Sequence, residues 1–181
     1  VAERKVISVF GGSHLPEGSP AYEEARRLGR LLARAGFTVM SGGYSGVMAA
    51  VSRGACEAGG HTIGVTLAAF DRWPLPSNPW LREERKAPDL FTRHQWLIAE
   101  ADGIILLPGG VGTLAELFVT WNLLQIGGMA SKPVVLVGWE WRKVLEHLMG
   151  HLHLQTRDLK LIQVVETVEE GVQVVLDQLG V

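Results

Sequence analysis

Gly103-Ile104-Ile105-Leu106-Leu107-Pro108-Gly109-Gly110-Val111-Gly112-Thr113-Leu114-Ala115-Glu116-Leu117-Phe118-Val119-Thr120-Trp121 is the stretch on which the fold turns. Residues 103–107 form an apolar run with the length of a buried strand, and the segment from Leu117 to Trp121 reads as a helix. A strand, a glycine turn and a helix start together make an anion site. The unpaired backbone N–H groups and the positive end of the helix dipole both face the turn. Gly109, Gly110 and Gly112 let that backbone approach a phosphate without interference from Cβ atoms. Thr113 adds a hydroxyl and Glu116 a carboxylate one turn later. Thr113-Leu114-Ala115-Glu116 also has capping-box spacing, so Glu116 either ties down the helix start or stands as an acid beside a bound phosphate. In the second role it stabilises or attacks an oxocarbenium-like centre, as carboxylates do in glycoside cleavage.

The same alternation extends along the chain in both directions. Residues 5–10 have the pattern of a strand covered on both faces, and the turn Gly11-Gly12-Ser13 follows. Ser19-Pro20 opens a helix that runs to about residue 35. Residues 37–40 form a second strand, followed by the turn Ser41-Gly42-Gly43-Tyr44-Ser45-Gly46. A helix over 47–58 closes on Gly59-Gly60, and residues 61–66 form a third strand. Residues 67–89 read as a long connection holding Pro74, Pro76, Pro79 and Pro88 with Trp73 and Trp80, which either stack a base or pack a rigid loop. A helix over 89–101 leads into the Gly103 strand. Strands over 134–137 and 161–165 alternate with helices over 141–152 and 167–179, the last opened by the capping box Thr167-Val168-Glu169-Glu170.

This order predicts an α/β fold with a mostly parallel sheet and helices on both faces. In such sheets ligands bind beyond the carboxyl ends of the strands. The glycine turns after the first, second and fourth strands all fall at that edge, which points to a nucleotide or sugar-phosphate pocket. Neither G-x-G-x-x-G nor a Gly-Lys-Ser/Thr loop is present, so NAD binding and ATP hydrolysis are weak readings.

Composition narrows the function classes. A chain of 181 residues suits one domain spanning 1–181. A net charge of −2 gives no broad basic field for nucleic acid. No apolar run approaches the ~20 residues of a membrane span. The single Cys56 excludes an intrachain disulfide. A reducing compartment and the lack of a signal-peptide pattern make the cytoplasm the expected location.

Other polar side chains say less when read alone. Arg93 has the look of a solvated helix arginine and His94 of a surface or packed histidine. His147 and His151 stand one turn apart with His153 nearby, but Gly150 and the lack of an acid at ligand spacing speak against a metal, and none is expected. Trp139 and Trp141 are expected to pack a strand-to-helix corner, and Cys56 to be a buried small residue.

At these residues the chain resembles the LOG ("Lonely guy") family, long labelled "possible lysine decarboxylase". Pro108 through Glu116 meets the family motif P-G-G-x-G-T-x-x-E in full. Gly42-Gly43-Tyr44-Ser45-Gly46-Val47-Met48 meets G-G-x-x-G-x-M, with Ser41 before it and Ala49 after it where the family usually has glycines. Asp89-Leu90-Phe91-Thr92-Arg93-His94 is similar to D-M-x-x-R-K, and Val9-Phe10-Gly11-Gly12-Ser13-His14 to V-F-C-G-S-S. Ala115 stands where the family usually has a first glutamate, His94 where it has lysine, and Asn122 where it has threonine. The resemblance covers about residues 6–137.

The resemblance implies a Rossmann-like fold of three layers, a homodimer and hydrolysis of a nucleoside 5′-monophosphate, cytokinin-riboside-like or AMP-like, to free base and ribose 5-phosphate without a cofactor. It implies Arg93 and Glu116 as the catalytic pair. The substrate is then held by Gly12, Ser13, Gly43, His94, Gly109, Gly110, Gly112, Thr113 and Asn122. A carrier of an intact nucleotide or molybdenum cofactor on the same fold is the alternative. Lysine decarboxylation needs a Schiff-base lysine, and Lys5, Lys86, Lys132, Lys143 and Lys160 lie in no convincing pocket motif.

Overall fold

Strands that are apolar on both faces form the middle layer of the protein. The computed structural model describes residues 4–72 and 75–181. In chain order its elements are β1 (Val6–Phe10), α1 (Pro20–Arg34), β2 (Thr38–Ser41), α2 (Val47–Glu57) and β3 (Thr62–Leu67). A 3-10 turn (Ala68–Arg72), β4 (Glu83–Ala87), α3 (Leu90–Ala99), β5 (Gly103–Leu106) and α4 (Val111–Gln125) follow. The chain continues through β6 (Val134–Val137), α5 (Trp139–His151), α6 (Thr156–Leu159), β7 (Gln163–Val165) and α7 (Val168–Leu179). The seven strands lie in the order β4-β3-β2-β1-β5-β6-β7, and every pair is parallel.

Alternate side chains of each strand feed two cores. Ile7, Val9, Ile105, Val135 and Val137 pack beneath α1, α2 and α7. Phe10, Ile104, Leu106, Val134 and Leu136 pack beneath Leu97 of α3, Leu117 and Trp121 of α4, and Trp141 and Leu145 of α5. The expected three-layer α/β architecture is present. The chain lays β1 to β4 to one side, then returns to place β5 on the other side of β1. That reversal leaves a crevice between β1 and β5 at their carboxyl ends, where open α/β sheets bind ligands.

Residues 67–89 are not one long connection. They hold the 3-10 turn and β4, which pairs with β3 from Ile63↔Glu83 to Leu67↔Ala87. β4 is an edge strand, and Glu83-Glu84-Arg85-Lys86 alternates half-buried and exposed positions before the buried Ala87. Charge on an edge strand opposes pairing with other chains, and the same charge removes the apolar run that marks interior strands. α6 is a single turn closed by a capping box between Gln155 and Asp158, too short to show a helical period. The Thr167–Glu170 capping box is present at the start of α7. Trp141 is buried as expected, whereas Trp139 is 56% exposed with Lys143 Nζ 4.4 Å from its ring centroid. Cys56 is half-buried.

The end of α3 has an ammonium cap from a distant segment. Lys132, just before β6, donates to the carbonyls of Ile98 at 2.9 Å and Ala99 at 3.4 Å, and also to that of Ala101. A cation here satisfies carbonyls that the helix leaves unpaired and complements the negative end of its dipole. Lys132→Met therefore lowers the unfolding free energy by about 1–2 kcal/mol. Thermal unfolding should show a drop of roughly 2–4 °C per kcal/mol, with faster amide exchange in the last turn of α3.

Candidate active site

The three glycine turns meet at the crevice, and Gly12 joins them. Its N–H donates to the Pro108 carbonyl at 3.1 Å, and its own carbonyl accepts the Val47 N–H at 2.9 Å. Leu107 N–H donates to Phe10 O at 2.9 Å, so β1 and β5 run in step into this junction. Gly12 thus braces the turns through both of its backbone polar groups. Ser13 is exposed beside it, its carbonyl accepting the Ser45 hydroxyl at 2.9 Å. Gly43 is buried and accepts the Asn78 N–H at 2.9 Å.

α4 begins at Val111 with Gly110 as its cap, and its first intrahelical bond runs from Leu114 N–H to Gly110 O at 3.0 Å. The amides of Val111, Gly112 and Thr113 precede that bond and have no intrahelical acceptor. Gly109, Gly110, Val111 and Gly112 are exposed. They present those amides to the crevice as an anion-binding helix start. Thr113 is buried beneath Gly109, where a Cβ would come within 2.1 Å of the Thr113 hydroxyl. Only glycine admits that approach.

The capping-box reading of Glu116 is overturned. The helix starts three residues earlier than that spacing required, with no side-chain cap, and Glu116 lies inside it. Its side chain is 8% exposed and makes no hydrogen bond among the described residues. Burial pushes its carboxyl up to about 7, against a smaller opposing pull from Arg93.

Arg93 is not the solvated helix arginine that its sequence position suggests. It projects from α3 under the sheet edge and is 8% exposed. Nε donates to Val65 O at 2.7 Å and Nη2 to Gly42 O at 3.0 Å, with Met48 Sδ 4.0 Å away. A Cβ on Gly42 would stand 1.9 Å from Nη2, so this glycine makes room for the guanidinium. Glu116 and Tyr44 support the cation's charge against the burial that opposes it. Arg93 and Glu116 are thus brought within electrostatic reach without closing an ion pair among the described residues. His94, half-buried next to Arg93, has its pKa lowered by burial and by the Arg93 charge. A neutral imidazole offers one donor and one acceptor.

Asn122, an expected ligand, lies elsewhere, and of its two readings Trp80 takes the packing one. Asn122 is exposed and donates to Gln125 Oε1 at 3.3 Å, in a groove with Phe118, Trp121, Leu154 and Asp158. It sits six residues beyond Glu116 on α4, on a different face at 100° per residue. The Trp80 carbonyl accepts from Thr62 Oγ1 at 2.8 Å, at the start of β3, and Arg53 lies 5.1 Å from its ring centroid. Trp80 therefore packs away from the glycine-turn edge, and Trp73 lies outside the described residues. His147 and His151 bring their ring centroids to 4.4 Å on α5. Tyr44, to which the sequence reading gave no role, contacts Arg93 with its ring centroid 5.8 Å from Cζ. Its one sequence signal is an aromatic residue inside a glycine turn.

Known proteins share both sequence and fold with this chain. The family described as "Possible lysine decarboxylase" matches residues 48–175. The cytokinin riboside 5′-monophosphate phosphoribohydrolase of Rhodococcoides fascians is 32% identical over 136 residues, covering 74% of this chain and 67% of that protein. The probable cytokinin riboside 5′-monophosphate phosphoribohydrolase LOGL5 of Oryza sativa subsp. japonica is 36% identical over 135 residues, covering 72% and 53%. The chain thus spans between about half and two thirds of the length of these curated relatives. Among solved structures, the molybdenum cofactor carrier protein of Chlamydomonas reinhardtii aligns with a TM-score of 0.74 at 25% identity, over 99% of this chain and 100% of that one.

The raised Glu116 pKa makes a signed stability prediction. In the unfolded chain Glu116 ionises near 4.5, and in the folded protein near 7. The folded state therefore holds its proton longer, and stability falls as pH rises from 4.5 through 7. A glutamine side chain at this position has no proton to lose. Glu116→Gln should match the wild type more closely at pH 4 and exceed it above pH 7 by at most about 3 kcal/mol. Denaturant unfolding across pH 4–8 measures the difference, and a gap that is constant with pH would contradict it.

Proposed function

We propose, because this chain belongs to the "Possible lysine decarboxylase" family, that it hydrolyses the N-glycosidic bond of a nucleoside 5′-monophosphate. One observation carries the reading: a buried carboxylate of near-neutral pKa, with a buried guanidinium in electrostatic reach, lies one turn along the helix whose free amides form an anion site. The 5′-phosphate binds the amides of residues 111–113 and the exposed backbone of Gly109, Gly110 and Gly112. Gly12, Ser13 and Gly43 shape the floor and rim, and His94 adds a neutral donor or acceptor. The ribose then extends toward Glu116.

As the bond from the anomeric carbon to the base breaks, positive charge develops on the sugar. Ionised Glu116 stabilises or captures that centre, and Arg93 keeps the carboxylate charged and oriented. The oxygen of water bonds to the anomeric carbon, the departing base takes a proton, and ribose 5-phosphate and free base leave. No step calls for a cofactor.

Decarboxylation, despite the family's description, finds no suitable lysine. Lys132 is bound to the α3 carbonyls, Lys86 pairs with Asp71, Lys143 lies over Trp139, Lys160 is exposed, and Lys5 stands before the amino end of β1, opposite the site. Carriage of an intact nucleotide is the second reading, favoured by the full-length likeness in fold to a carrier protein. The proposal also takes the chain as one nucleotide-binding domain acting as a homodimer in the cytoplasm. Its supports are the exposed apolar side chains Val111, Phe118 and Val119 on α4, Ile126 just after it, and Leu90 and Phe91 on α3, and the lone cysteine. No helix among the described residues is long and apolar enough to cross a membrane.

Incubation with a panel of nucleoside 5′-monophosphates should release free base and ribose 5-phosphate in equal amounts. Glu116→Gln should lower kcat by about 10³-fold, the scale expected for removing a group that acts on the transition state. Recovery of every nucleotide intact, with tight binding, would instead support the carrier. Because Glu116 acts in its ionised form, kcat/KM should rise with pH to a plateau above about 7. A flat profile between pH 5 and 8 would remove Glu116 from the chemistry.

A further inference from the structure

Arg93 is held in its own plane by two carbonyls, Val65 O and Gly42 O. Neither contact opposes movement of the guanidinium out of that plane, and Met48 Sδ at 4.0 Å is a weak partner. The ring of Tyr44 also faces it, its centroid 5.8 Å from the guanidinium carbon. An aromatic face attracts a cation, and the attraction grows when water is excluded. Tyr44 is 5% exposed.

Tyr44 is itself locked. Its hydroxyl accepts the Leu67 N–H at 2.8 Å and donates toward Leu67 O at 3.4 Å, at the last residue of β3. The Phe70 ring packs against it at 5.4 Å, tilted by 59°. The Tyr44 carbonyl accepts Asn78 Nδ2 at 3.1 Å.

We infer that Tyr44 is a positioning residue for Arg93, its ring face holding the guanidinium where its charge reaches Glu116. The charged and titratable groups around Arg93 are Glu116 on α4, His94 on α3 and Tyr44 itself. Of these, Glu116 is the one that the proposed reaction needs ionised, so a displaced Arg93 shows first in the titration of Glu116. The inference rests on the proposed hydrolase for its kinetic readout but not for that titration.

The test compares Tyr44→Phe, which keeps the ring and loses the hydroxyl bridge, with Tyr44→Leu, which loses the ring. Tyr44→Leu should lower kcat at least tenfold with KM within threefold of wild type. The Glu116 midpoint, followed by carboxyl-carbon NMR, should move up by at least half a pH unit. Tyr44→Phe should recover kcat to within threefold and leave the midpoint in place. Ring-fluorinated phenylalanines at position 44 keep the shape and weaken the negative face, so kcat should fall stepwise along the series. That series decides the matter if Tyr44→Leu does not fold. An unmoved Glu116 midpoint in folded Tyr44→Leu, or a flat fluorinated series, would overturn the inference. Absence of base release in the wild type would sink the hydrolase alone, and the midpoint would still decide for or against Tyr44.

Discussion

Two backbone hydrogen bonds at Gly12, one to the Pro108 carbonyl and one from the Val47 amide, turn three separate loops into one surface. The backbone surface of the candidate site is placed by that junction. It sets the β5–α4 turn, and with it the amides at the start of α4, against the turn after β1. It also fixes the start of α2 and so the Gly42–Met48 segment that Arg93 packs against. A binding surface made of backbone needs this kind of anchoring, because a turn that moves by an ångström loses the convergence of its N–H groups on an anion.

Burial and charge divide the work among the side chains. A guanidinium taken out of water must be bonded and paired. Arg93 meets that demand with two carbonyls, and its charge opposes the effect of burial on Glu116 while adding to it on His94. Near neutral pH the pocket therefore carries a fixed cation beside a partly protonated acid and an uncharged imidazole. Such a balance is receptive to a phosphate and still leaves a carboxylate available to a developing positive centre.

Much of this was legible in the sequence, for reasons that can be named. Six strands stood out because a parallel sheet covered on both faces needs uninterrupted apolar runs, as in Gly103-Ile104-Ile105-Leu106. β4 did not, because an edge strand carries charge. The glycine turns were legible because close backbone approach excludes side chains, as at Gly109 and Gly42. Sequence alone left capping open for Glu116 because four-residue spacing fits both a box beginning at Thr113 and a helix already under way from Gly110. Asn122 was grouped with Glu116 by motif, although helical geometry places the two on different faces. Arg93 gave no sign of burial, since its partners are carbonyls of residues 28 and 51 positions away. Tyr44 had no periodicity to mark it, only its place as an aromatic residue in a glycine turn.

The crevice between β1 and β5 has a consequence for synthesis of the chain. The Val6 amide is bonded by Asp102, 96 residues later. During translation, β1 to β4 emerge first, and one edge of β1 stays unpaired until β5 follows. For that interval the nascent chain exposes an apolar strand edge of the kind that recruits other unfolded chains. The same non-local pairing makes folding slow compared with a helical bundle of similar size. The site surface therefore cannot form until β5 and the start of α4 have been made, although β6, α5, β7 and α7 still follow them.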